Sequence, residues 1–139
     1  MEKWKFGTQA GNAAFGQGHY DTAERHYLSA CERANTLLQH WLDPEEIVAA
    51  LVVGYQNLAD LYRLQGHHHG ALAALQKAHS SLTHALAQPN LSQERQQALT
   101  RGKGQTRLEI MHTLHRLGLS TRHVSQALTT QQEHSPALQ

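Results

Sequence analysis

Histidine is the residue type best suited to hold a metal or to move a proton near neutrality, and the 139-residue chain carries 12 of them. Three are consecutive in Gly66-His-His-His-Gly70, His112 and His115 stand three apart, and His79 and His84 stand five apart. A zinc site needs three or four converging ligands. His112 and His115 offer two on one helical face, but no cysteine or carboxylate stands beside them at ligand spacing, and the chain has no His-Glu-x-x-His motif. The expectation is therefore no metal and no other cofactor, with His67–His69 a polar, exposed turn. His79 lies on the apolar stripe of Leu72, Leu75, Leu82 and Leu86, where a histidine is read as part of the core with its polar atoms satisfied. The single cysteine, Cys31, rules out an internal disulfide framework and suits a reducing compartment. It reads as a small helix-packing residue. The chain has no Gly-x-Ser-x-Gly elbow and no Cys-His-Asn context. A phosphate-cradling Gly-x-x-x-x-Gly-Lys loop and a Gly-x-Gly-x-x-Gly turn are missing as well, so the sequence points to binding and not to catalysis.

The net charge of +1 conceals an asymmetry. Asp21, Glu24, Glu32, Asp43, Glu45, Glu46 and Asp60 face only Arg25 and Arg33 in the stretch 21–60, whereas Arg95, Arg101, Lys103, Arg107, Arg116 and Arg122 outnumber Glu94 and Glu109 further on. Such a dipole steers charged partners or head-to-tail self-association, although mixed charge on solvated helix faces produces the same pattern. The basic segment lacks interleaved aromatics on which bases would stack, which argues against a nucleic-acid partner. No apolar run approaches the roughly 18 residues of a membrane span, and the N-terminal residues carry no signal-like apolar core. The expectation is a cytoplasmic protein with no membrane partner.

Leu and Ala dominate and strand-forming clusters are missing, so the chain reads as all-α and as one domain over residues 1–128, with a disordered tail over 129–139. Its units span about 4–41, 44–87 and 92–128. In the central unit Val48, Leu51, Val52, Tyr55, Leu58, Ala59 and Tyr62 form one helical stripe, Gly66 opens a turn, and Leu72, Leu75, Leu82 and Leu86 form a second stripe. Asp43-Pro-Glu-Glu46 is the clearest helix start, with Asp43 as cap, Pro44 in the first turn and Glu46 completing a reciprocal capping box. The helix before it is expected to run on to Trp41. Gln88-Pro-Asn90 breaks the chain and Ser92 caps the next helix. Gly102 and Gly104 each cost about 1 kcal/mol in a helix interior, so a break is expected there. A short final helix is expected around Val124 and Leu128.

The order Tyr55, Leu58-Ala59, Tyr62, Gly66, Ala71, Ala78 resembles a tetratricopeptide repeat (TPR), and Phe15, Gly18, Ala23 and Ala30 repeat it in the first unit. The resemblance implies a right-handed stack of antiparallel hairpins, about six helices, whose concave groove receives a peptide or helix of a partner protein. One branch of that family clamps a partner's C-terminal carboxylate. Gly11-Asn12, Asn57 and Lys103-Gly-Gln-Thr-Arg107 resemble its clamp positions, with Thr8 where the first clamp lysine would stand. The partner-binding residues implied are Thr8, Asn12, Phe15, Asn57, Leu61, Lys103 and Arg107, in an adaptor without catalysis. Two alternatives stay open: a chaperone for an unfolded or secreted client, and histidine-mediated metal or weak nucleic-acid binding. Self-association through the exposed ends of the stack is a further expectation.

Overall fold

The computed structural model describes residues 2–118, and these are helical throughout apart from their turns: α1 Glu2–Gly16, α2 Tyr20–Leu37, α3 Pro44–Leu64, α4 His68–Leu86 and α5 Gln93–Arg116. Local chemistry sets the boundaries. The Asp43 carboxylate accepts from the Glu46 amide at 3.2 Å with Pro44 in the first turn, and the Ser92 hydroxyl accepts from the Arg95 amide at 3.0 Å. Of the expected capping box, only the Asp43 limb forms among the described residues. The turns after α1 and α3 are built alike. The His19 amide donates to the Ala14 carbonyl and the His67 amide to the Tyr62 carbonyl, both at 2.8 Å, while Gly18 and Gly66 donate one step inside. This double closure requires a left-handed residue at the glycine, and Gly18 (φ +79) and Gly66 (φ +78) supply it.

Two expectations about the helices are corrected. α2 stops at Leu37, short of Trp41, and residues 38–40 form a looser turn. Arg95 from α5 donates there to the carbonyls of Leu38 (2.9 Å) and Trp41, so a distant guanidinium takes over carbonyls that further helix would have satisfied. α5 does not break at Gly102 and Gly104. A Cβ on Gly102 would lie 2.6 Å from Val48 Cγ1 and 3.4 Å from Leu82 Cδ1. The glycine thus lets α5 settle onto α3 and α4, and tertiary packing outweighs the propensity cost. The expected final helix and the tail over 129–139 lie outside the described residues.

Consecutive helices pack against one another in chain order, and α3 also packs on α5, while α1 scarcely reaches α3. On the α2–α3 seam, Asn35 meets Tyr55 and Glu24 meets Tyr62, so position on one helix rises as it falls on the other and the pair is antiparallel. Across α3–α5, Glu45 pairs with Arg101 and Gln56 with Glu109, so the two advance together and run parallel. α3 is the axis of the fold: Ile47, Leu51 and Leu61 are fully buried, with Leu75 and Leu82 of α4 and Leu99 and Ile110 of α5 beside them. The small residues Ala23, Ala30, Ala71 and Ala78 are buried on α2 and α4 and permit this close approach.

Candidate functional site

The two long sides of α3 that other helices leave partly open differ in chemistry. Toward α5, beyond the close contact at Gly102, the helices part and leave a cleft of about 280 Å³ lined by Gln56, Asn57, Asp60 and Arg63 of α3 and Glu109, His112, Thr113 and Arg116 of α5. The α3 residues recur at the three- and four-residue spacing of one helical face, as do those of α5. Gln56 Nε2 donates to Glu109 Oε1, and Arg63 pairs with Asp60. Burial raises the Glu109 carboxyl above the usual range, against the opposing pull of the Gln56 hydrogen bond, Arg63 and His112. The Asn57 amide and the Arg116 guanidinium make no hydrogen bond or ion pair among the described residues. The cleft therefore offers an amide and a cation to an acceptor-bearing ligand, beside acids already engaged.

On the other side, α2 and α4 stand apart over α3 and leave a groove of about 400 Å³, floored by Tyr55, Leu58 and Tyr62. Its tyrosines are held at their far ends. Asn35 Nδ2 donates to the Tyr55 hydroxyl and the Tyr62 hydroxyl donates to Glu24 Oε2, each at 2.6 Å. Burial pushes the Tyr55 hydroxyl up to about 12 and, with the acceptor Glu24, raises Tyr62 as well. Cys31 lines the same groove with 1% of its surface exposed, and desolvation pushes its thiol up to about 12. A thiol that stays protonated is a poor nucleophile, so the Cys31 sulfur acts here as packing.

The seven residues implied by the resemblance fall in separate places. Asn57 lines the α3–α5 cleft. Leu61 is a correction: it is 0% exposed and belongs to the core, because one helical turn beyond Asn57 the α3 surface has rotated inward. Phe15 packs edge-on against Tyr20 with ring centroids 5.9 Å apart, inside the α1–α2 hairpin. Asn12 is exposed, but its Oδ1 accepts from the Tyr27 hydroxyl at 2.6 Å. Thr8 is half-buried, with a buried hydroxyl that has no partner among the described residues. Lys103 and Arg107 stand about 150° round α5 from the cleft and flank His79 of α4, on which both act electrostatically. The structure therefore does not bring Asn57 together with Lys103 and Arg107.

His79 is in the core as expected, 8% exposed, but Nε2 has no partner among the described residues, and burial with those two cations lowers it to about 4. His67, His68 and His69 are exposed, as expected, at the start of α4. Among the described residues no group of three His, Cys, Asp or Glu side chains is placed to hold a metal, and no helix is long and apolar enough to cross a membrane. Sequence reasoning misses the cleft set of Gln56, Asp60, Arg63, Glu109 and Arg116. The signal for it is the polar stripe of α3, which the sequence presents only as the back of an apolar one.

A family model described as "Protein of unknown function (DUF2753)" matches residues 2–138. The chain belongs to that family. No curated protein and no solved structure matches it. The five helices of the described residues and the cleft beside α3 are thus the physical description on which a function for this DUF2753 chain rests.

Proposed function

We propose that the chain is a protein-interaction module, a TPR-like stack of helical hairpins without catalysis that receives a peptide or helix of a partner protein along the outer stripe of α3. The cleft between α3 and α5 is the recognition point. The observation that carries this reading is the pair of uncommitted polar groups there, Asn57 and Arg116, set beside a hydrogen-bonded Gln56–Glu109 pair. Asn57 is half-buried, so its amide has shed water before any ligand comes, while the exposed Arg116 guanidinium adds a charge-assisted donor at the edge of the cleft. Val53 and Asn57 lie next to one another on the same open face, and Val53 is 37% exposed, which offers an apolar contact beside the polar ones. The repeated Gly-His turns and the buried alanines of α2 and α4 support the TPR-like part of the reading.

The test is a displayed peptide library, with each binder resynthesised as free acid and as amide. Asn57→Ala and Arg116→Ala are expected to weaken a selected peptide about tenfold each, whereas Lys103→Ala, on the far side of α5, leaves it unchanged. Binding that ignores Asn57 and Arg116 removes the proposal, and loss on Lys103→Ala moves the site to the α4–α5 seam.

A further inference from the structure

The apolar groove between α2 and α4 has walls of opposite character. On the α2 wall Leu28 is 38% exposed and Glu32 projects into solvent; on the α4 wall the matching positions are the small residues Ala73 and Ala74, and then Lys77. Heights along the groove are set by its floor. One end is marked by Tyr62, which lies against Gly70 and holds Glu24; the other is marked by Tyr55, which holds Asn35. Glu32 lies two turns beyond Glu24 on α2 and Lys77 two turns beyond Gly70 on α4, which places both toward the Tyr55 end. They face each other across the groove yet form no ion pair, the ion pairs among the described residues being Arg63–Asp60 and Arg101–Glu45.

A two-fold axis laid along such a groove brings the α2 wall of one copy over the α4 wall of the other. Large then meets small, as Leu28 of each copy covers the Ala73–Ala74 step of its mate. Acid meets base, as each Glu32 comes over a Lys77. Because the operation is its own inverse, every contact occurs twice, the condition an isologous interface must satisfy. We infer that the α2–α4 groove is a self-complementary docking surface whose occupant is a second copy of this chain, held by Leu28 in the groove and by two reciprocal Glu32–Lys77 pairs. This surface lies on the opposite side of α3 from the cleft proposed to bind partners, so the module can pair and still keep that cleft open. It also differs from the ends of the stack, where the sequence leads one to expect self-association.

Sedimentation velocity on the full chain over a wide concentration range tests it. The unmodified protein is expected to dimerise reversibly. Glu32→Lys and Lys77→Glu each set like charges against one another twice, and each is expected to raise the dimer dissociation constant at least about tenfold. An equimolar mixture of these two variants restores both pairs and is expected to yield dimers of one chain of each. Both substitutions are at exposed sites, and unchanged helical circular dichroism confirms that the variants are folded. An unmodified protein that stays monomeric at every concentration overturns the inference. So does a dimer that ignores the single reversals, which would then use another face, and so does a mixture that fails to associate.

Discussion

The α3–α5 cleft and the α2–α4 groove are cut against the same helix, yet one is lined by charge and amide and the other by aromatic and aliphatic surface. The difference traces to how the flanking helices meet α3. α5 runs parallel to α3 and touches it closely at Gly102 before parting from it, so long polar side chains near the exit bridge the opening. α2 and α4 both run antiparallel to α3 with small residues toward it, so their spacing exposes the aromatic floor. Glycine at one crossing and alanine along another thus produce two surfaces of unlike chemistry from one central helix.

Both surfaces can be undermined together from beneath. Leu61 supports the α3 core from which each is cut, and Leu61→Ala is expected to cost about 2–5 kcal/mol, measured by urea unfolding. A residue that lined a partner groove would instead leave stability nearly unchanged and weaken binding.

His79 belongs to neither surface and serves as the control. Its ordinary value of 6.5 is lowered to about 4 in the folded chain, so the unfolded state binds the proton more readily. Its contribution is complete above pH 6.5 and is lost as pH falls toward 4, at most on the order of 3 kcal/mol. His79→Leu is expected to flatten that part of the acid profile of stability; a profile unchanged by the substitution would show that the ring is paired in solution.

Gly102→Ala sharpens the polar side alone. The helix gains about 1 kcal/mol in propensity, but the new methyl strikes the β-branched Val48, and overpacking costs about 1–3 kcal/mol. Net loss of about 1 kcal/mol is expected from the difference, together with weaker binding at the cleft and unchanged self-association. A net gain in stability would mean that α5 can shift without cost.

A similarly small effect is expected from Tyr62→Phe on the apolar side, which removes the hydroxyl that donates to Glu24. About 1 kcal/mol of stability should go; no loss in denaturant unfolding would show that water replaces the hydroxyl.

Both surfaces are only partly legible in the sequence. Asn57 stands out through a family pattern, but its cleft neighbours Glu109 and Arg116 lie more than fifty positions away, and their meeting depends on α3 and α5 running parallel. Leu61 is misplaced because a pattern of residue types does not carry the rotation of the helix within the fold. Lys103 and Arg107 are grouped with Asn57 for the same reason, and the roll of α5 places them beside His79 instead.

Sequence alone determined what is decided within about one helical turn: the caps at Asp43 and Ser92, the Gly18 and Gly66 turns, the stop before Asn90 and the all-helical character of the described residues. Those features depend on hydrogen bonds between residues three to five apart, which composition and spacing encode directly. Only tertiary structure decided where α2 ends, why α5 passes unbroken through two glycines, and which polar residues share the cleft. Each depends on atoms remote in sequence: the Arg95 guanidinium on the end of α2, Val48 against Gly102, and Gln56 against Glu109.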